Sequence, residues 1–138
     1  MQKIYSQIDP TKLLHCVSRF NEISSTRQDI CPEEEFIQLS SFKLPKGKTF
    51  RPHKHIIHEK ITNIAQESWV VMKGSVQVTF YDIDDTVLCE PILEEGDVSI
   101  TFAGGHNYLI LSDEATIYEY KTGPYLGQQF DKVFLDDK

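Results

Sequence analysis

From residue 35 onward, apolar and polar residues alternate in short runs, and each run ends at a turn rich in glycine, proline or aspartate. Such alternation is typical of β-strands that bury one face. The runs cover residues 36–44, 49–55, 69–72, 76–81, 86–92, 98–102, 107–111 and 116–121. Short strands at this near-regular spacing predict an all-β sandwich or barrel.

The first 34 residues follow a different pattern. Leu13, Val17 and Phe20 have the i, i+4, i+7 spacing of one helical face, and Pro10 stands where a first helical turn tolerates proline. We therefore expect a short helix within an N-terminal extension, residues 1–34, followed by one domain at 35–122. Residues 123–138 are expected to form a C-terminal tail that packs on that domain or on a dimer partner.

Charge and cysteine content limit the partners and the compartment. The chain has 138 residues, one domain's worth, and a formal net charge of −7, which disfavours nucleic acid and anionic membranes as partners. A small anionic substrate stays compatible if cations such as Lys48 and Arg51 line the site. The three cysteines have no CxxC spacing, no segment reads as a secretory signal, and no apolar run approaches the roughly 20 residues of a membrane span. These features predict a cytoplasmic protein without disulfides.

Two histidines two positions apart are the main candidates for chemistry. His53 and His55 fall in the run 49–55, and residues at i and i+2 of a strand project to the same face. A carboxylate and a third histidine from later strands, Glu67 and His106, would complete a pocket of three histidines and one carboxylate. That donor set suits a divalent transition metal and can leave a coordination position open.

The same residues fall into two motifs that resemble those of the cupin superfamily. The first motif is matched by Gly47, His53, His55, Glu67 and Gly74, although the 11 residues between His55 and Glu67 exceed the usual gap. Because of that longer gap, Gln66, Glu59 or His58 are alternatives to Glu67 as the fourth ligand.

The second motif follows in the expected order. Gly96, Gly104 and His106 match it, with Phe102 in place of the usual proline and the histidine one residue early. The resemblance implies a single-domain cupin jelly-roll barrel, a double-stranded β-helix. It also implies inward-facing His53, His55, Glu67 and His106 around a divalent ion, with Fe, Mn, Ni and Zn all suitable.

Residues near the second motif suggest groups that handle protons. Tyr108 shares the strand parity of His106, and Glu119 lies in the last predicted strand, so either is a candidate general acid or base. The stretches 119–125 and 131–133 resemble those of small cupins encoded among surface-polysaccharide and nucleotide-sugar genes, which points to a sugar-derived ligand.

Two functions follow from these expectations. One is a metal-dependent isomerase, epimerase or oxygenase acting on a small molecule, and the other is a non-catalytic small-molecule-binding or sensor protein. A small barrel of this kind also has edge strands that need cover, which predicts a homodimer.

Overall fold

The computed structural model describes residues 1–135, and over this range the chain forms eleven β-strands and two single-turn 3-10 helices. The strands are β1 (Gln2–Tyr5), β2 (Leu13–Ser18), β3 (Gln28–Asp29), β4 (Ser40–Ser41), β5 (Glu67–Lys73), β6 (Val76–Tyr81), β7 (Val87–Cys89), β8 (Ile92–Leu93), β9 (Val98–Thr101), β10 (His106–Ile110) and β11 (Thr116–Lys121). The 3-10 helices span Phe20–Glu22 and Gln128–Phe130.

The strands form two main sheets. The larger sheet has the antiparallel order β1-β2-β9-β5-β11, so both β2 and β5 flank β9. In the smaller sheet, β6 pairs with β10 along one edge and with β7 and β8 along the other. The short strands β3 and β4 pair only with each other.

The larger sheet has an apolar core on each of its faces. One cluster contains Val17 and Val71 from this sheet and Val78 and Phe80 from β6, and therefore joins the two sheets. On β2 the neighbouring Cys16 points the other way, into a second cluster with Ile30, Cys31, Ile100 and Phe102. Alternate side chains of one strand thus enter different cores.

The short helix predicted near the N-terminus is wrong, because those residues form the strand β2, which is buried on both faces. Residues 13–18 form β2, and five of the six are buried, so the polar face that marks a strand by alternation is absent. A short apolar run of this kind does not distinguish a buried strand from a buried helix by periodicity. The i, i+4, i+7 spacing of Leu13, Val17 and Phe20 was coincidental, because residues 2–5 and 13–18 form two strands of the larger sheet.

Two predicted strands are also absent as such. The run 36–44 contributes only the two residues of β4, and residues 49–55 contain no strand. Within the described chain, residues 49–65 make no backbone-to-backbone hydrogen bond. The side chains of Ile56 and Ile57 in this segment are 87% and 99% exposed. The pattern of the segment is strand-like, but it has no partner strand in this structure.

The all-β class predicted from the sequence is confirmed, whereas the two main sheets do not close into a barrel within residues 1–135. The six later predicted runs, from 69–72 to 116–121, all contain strands. One of them, 86–92, is divided into β7 and β8 around Pro91, which has no N–H to donate to a ladder. Across the described residues, no helix is long and apolar enough to cross a membrane.

Candidate functional site

A cavity of about 700 Å³, here called the Glu67 cavity, lies among β5, β10, β11 and residues 131–135. Its polar and aromatic lining includes Tyr81, Asp85, Thr101, Asn107, Asp131, Lys132 and Phe134. Five further lining side chains contact one another, namely Glu67, Trp69, His106, Tyr108 and Glu119. Four of these five were candidates from the sequence, and the structure brings these four together.

Strand alternation and register place the five side chains. Glu67 and Trp69 are two positions apart on β5, and Glu119 of β11 is the direct cross-strand partner of Trp69. His106 and Tyr108 are likewise two positions apart on β10, which belongs to the other sheet. Because residues at i and i+2 share a strand face, each sheet contributes one row of side chains to the cavity.

The first polar contact in the cavity joins the two sheets. Glu67 Oε1 and His106 Nε2 are 3.1 Å apart, and the two side chains are 11% and 23% exposed. Burial raises the pKa of Glu67, but the hydrogen bond and charge of His106, the charge of Lys132 and the hydrogen bond from Trp69 together outweigh it, so the pKa lies below its ordinary value. The Glu67 side chain is therefore a carboxylate at neutral pH.

The other ring nitrogen of His106 is in a different situation. Nδ1 is buried and has no hydrogen-bond partner among the residues that the structure describes. A buried polar atom without a partner costs free energy, and such atoms are uncommon in folded proteins.

An aromatic pair lies beside this contact. The rings of Trp69 and Tyr108 stack with centroids 3.7 Å apart and planes 2° from parallel. The Tyr108 hydroxyl is 3.1 Å from Ser99 Oγ, and burial raises the pKa of Tyr108 above its ordinary value. The phenol therefore holds its proton at any physiological pH.

Glu119 enters the cavity through the same tryptophan. The indole Nε1 of Trp69 donates to Glu119 Oε2 at 3.2 Å and to Glu67 Oε1 at 3.1 Å. A single donor thus contacts two carboxylates, one from β5 and one from β11.

The turn before His106 is fixed by close packing. Gly104 has φ of 79°, and a Cβ built there would lie 2.5 Å from the carbonyl oxygen of Tyr81. That oxygen also accepts a hydrogen bond of 2.9 Å from Nε2 of the fully buried His15. Burial lowers the pKa of His15 to about 4, so the imidazole is neutral and part of the core.

The chain after β11 returns to form one wall of the cavity. Lys121 forms a 2.8 Å ion pair with Asp131 and lies over the ring of Tyr125 at 4.1 Å. Residues 131–135 then line the cavity, and a Cβ built at Gly105 would lie 2.9 Å from Leu135 Cδ1. Residues 136–138 of the predicted tail lie outside the described residues.

His53 and His55 are not in the cavity. Both are exposed, and their ring centroids are 5.6 Å apart. His53 Nδ1 contacts only the nearby carbonyl oxygen of Arg51, at 2.9 Å, among the hydrogen bonds of the described chain. The structure therefore brings together two of the four predicted metal ligands and leaves the other two in the segment without strand partners.

The alternatives for the fourth ligand are also placed elsewhere. Gln66 is buried and does not line the Glu67 cavity. Its side-chain oxygen accepts a hydrogen bond from Ile37 N at 2.8 Å, and its side-chain nitrogen donates one to a carboxylate oxygen of Glu35 at 2.5 Å. His58 and Glu59 are exposed. Over residues 1–135, no three His, Cys, Asp or Glu side chains are grouped so that they could hold one metal ion.

Sequence reasoning missed two parts of the cavity. Trp69 was not among the candidates, although its position two residues after Glu67 places it on the same strand face. Residues 131–135 form the other missed part, and no periodic pattern marks the Lys121–Asp131 ion pair that joins them to β11.

No family model matches this chain, and comparisons with curated proteins and with solved structures found no match either.

Proposed function

We propose that this protein is a metal-binding cupin that binds, or acts on, a small sugar-derived molecule in the Glu67 cavity. The observation that supports this most directly is the contact between Glu67 Oε1 and His106 Nε2, 3.1 Å apart at the wall of that cavity.

This distance suits two ligands of one ion. Donor atoms about 2.0–2.2 Å from a metal, at tetrahedral or octahedral angles, are about 2.8–3.6 Å from each other. The carboxylate oxygen and the imidazole nitrogen already have that separation. They fit half of the predicted donor set, and His53 and His55 would supply the other half.

The proposal requires the segment that carries His53 and His55 to reach the cavity. The segment ends next to Glu67 in sequence, its isoleucines 56 and 57 are almost fully exposed, and β10 forms the edge of the smaller sheet. Pairing of residues 49–57 beside β10 would cover both the edge strand and the exposed Ile56 and Ile57. We propose that this pairing completes a jelly-roll barrel from the two sheets.

A divalent ion such as Fe, Mn, Ni or Zn at these residues would act as a Lewis acid toward an oxygen of the bound molecule. The protein's own groups would bind and orient that molecule. Glu119 would accept hydrogen bonds from hydroxyl groups of the ligand. Of the two candidate general acids or bases, Glu119 and Tyr108, Glu119 is the better placed to accept a proton.

One observation favours the non-catalytic alternative. The Tyr108 hydroxyl bonds Ser99, and the pKa of Tyr108 lies above its ordinary value, so Tyr108 is a poor proton donor or acceptor. If Glu119 does not exchange a proton with the ligand, the same cavity serves as a small-molecule-binding or sensor site. Exchange of ligand C–H protons with deuterated water, followed by NMR, distinguishes the two functions.

We also propose a cytoplasmic homodimer. The cysteines 16, 31 and 89 are free thiols, as a reducing compartment requires. In the larger sheet β11 is an edge strand, and its Tyr118 and Tyr120 are each 58% exposed. Light scattering at micromolar concentration should give twice the chain mass, and a strictly monomeric species would contradict the dimer.

Metal analysis is the decisive experiment for the site. Protein purified without a nickel column should contain about one equivalent of divalent metal per chain. Glu67→Gln and His106→Gln should each lose most of it, because each removes one donor. Glu114→Gln changes an exposed carboxylate that pairs with Lys73 and serves as the matched control. Full metal content in the His106 variant would overturn the assignment.

Ligand class is tested separately. Thermal shift measurements with free sugars, sugar phosphates and nucleotide sugars should give a stabilising shift that depends on Glu119, since a ligand that binds only the folded state raises its stability. An equal shift in Glu119→Gln would place the ligand outside the Glu67 cavity.

A further inference from the structure

Trp69 is the single tryptophan of the chain, and it contacts both carboxylates of the Glu67 cavity. Its Nε1 lies 3.1 Å from Glu67 Oε1 and 3.2 Å from Glu119 Oε2. An indole has one N–H, so the two carboxylates share one donor. The two negative groups are therefore linked through a neutral side chain, and the nearby cations Lys121 and Lys132 also interact electrostatically with Glu67.

The direction of that N–H is set by packing. Trp69 lies flat on Tyr108, whose centroid is 3.7 Å away, and the Tyr108 hydroxyl is bonded to Ser99 of β9. Rotation of the indole would break the stack. The donor position is thus determined by the aromatic pair, and the carboxylates adapt to it.

The consequence for the carboxylates is positional. Two like charges close together repel, and glutamate has three rotatable side-chain bonds, so a hydrogen bond to each carboxylate opposes their separation. The hydrogen bonds from Trp69 keep Glu67 beside His106 and keep Glu119 on the same side of the cavity. Residues that hold a metal ligand in this way commonly change metal affinity when substituted.

We propose that Trp69 is a positioning residue that holds Glu67 and Glu119 as one unit through its shared N–H. Its effect on metal affinity rests on the proposed function above, whereas the holding of the two carboxylates does not. The two parts are tested by different measurements.

The first measurement uses the indole N–H of the metal-free protein. The ¹⁵N–¹H spectrum contains one indole resonance, because the chain has one tryptophan. Glu67→Gln and Glu119→Gln should each move that resonance, and the double variant should speed its exchange with water. Glu114→Gln, an exposed carboxylate away from the indole, should leave it unchanged. A resonance that ignores both cavity variants would overturn the positioning role.

The second measurement uses Trp69→Phe, which keeps an aromatic ring for the stack but removes the N–H together with part of the ring area. Zinc affinity, measured by competition with a chromophoric chelator, should fall by about 10–100-fold. Tyr118→Phe changes an exposed aromatic residue on β11 and is the matched control. Unchanged affinity in Trp69→Phe would overturn the positioning role for the metal.

Together, the indole resonance and the zinc affinity distinguish a wrong metal function from a wrong role for Trp69. If the wild-type protein binds no zinc while the indole resonance still responds to both glutamates, the metal function is wrong and the carboxylate unit stands. If zinc binds but the resonance and the affinity ignore the variants, the inference about Trp69 is wrong and the metal function stands.

Discussion

Trp69 and Tyr108 stack face to face across the two sheets, with ring centroids 3.7 Å apart. Trp69 belongs to β5 of the larger sheet and Tyr108 to β10 of the smaller one. The residues two positions before them, Glu67 and His106, form the polar contact between the same strands. Aromatic packing and the candidate site therefore lie side by side on one pair of facing strands.

The first prediction concerns this stack. Tyr108→Phe keeps both rings and loses only the hydrogen bond to Ser99, which should cost about 1 kcal/mol of unfolding free energy. Tyr108→Leu loses the stack as well and should cost about 2–3 kcal/mol. Urea denaturation followed by Trp69 fluorescence measures both. Equal stability of the two variants would show that the stack contributes nothing.

Most of the correct predictions about the site came from one rule, that residues two positions apart on a strand share a face. It placed Tyr108 on the face of His106, and the structure has both side chains in the cavity. It worked on β6 too, where Val76, Val78 and Phe80 are buried and their neighbours are half-exposed. On β6 one face is apolar and the other is not, so local pattern and burial agree.

The rule failed where burial or pairing does not follow local pattern. Residues of β2 are buried on both faces, which removed the alternation and made the strand resemble a helix. Residues 49–55 have the strand pattern but no partner, because pairing depends on where a distant strand lies. The distance between His55 and the cavity is likewise a property of pairing, and no local motif fixes it.

The second prediction is a pH dependence of stability from His15. Burial lowers the pKa of His15 to about 4, whereas an unfolded histidine titrates near 6.5. Below pH 6.5 the unfolded chain binds a proton that the folded chain does not, so the stabilising contribution is complete above that pH and is lost as the pH falls toward 4. Between pH 7 and 5 the loss should be about 2 kcal/mol.

Chemical denaturation at the two pH values tests this contribution. His15→Gln cannot titrate, so its stability should change less between pH 7 and 5 than that of the wild type. His58→Gln removes an exposed histidine and should leave the wild-type dependence intact. The same pH dependence in His15→Gln as in the wild type would assign the effect to other groups.

The third prediction compares two glycines with similar positive φ. Gly104 has φ of 79° and Gly47 has φ of 84°, but only at Gly104 would a Cβ meet a close atom, the carbonyl oxygen of Tyr81 at 2.5 Å. Gly47→Ala should cost about 1 kcal/mol from backbone conformation alone. Gly104→Ala should cost at least about 2 kcal/mol, because the clash adds to it. Equal costs in thermal denaturation would mean that the turn before His106 has room to adjust.

The fourth prediction tests whether His53 and His55 complete the metal site. Both side chains are exposed, so replacing the pair by alanine should change the unfolding free energy of protein stripped of metal by no more than about 0.5 kcal/mol. Metal content should nevertheless fall from one equivalent to almost none, since Glu67 and His106 alone offer two donors.

This combination separates a ligand role from a structural one. An unstable double variant would mean that the histidines support the fold, which their exposure argues against. A stable variant that keeps one equivalent of metal would mean that other groups complete the site beside Glu67 and His106. A stable variant without metal would mean that residues 49–55 reach the cavity when metal binds. That position would allow them to pair as a strand with β10 at the edge of the smaller sheet.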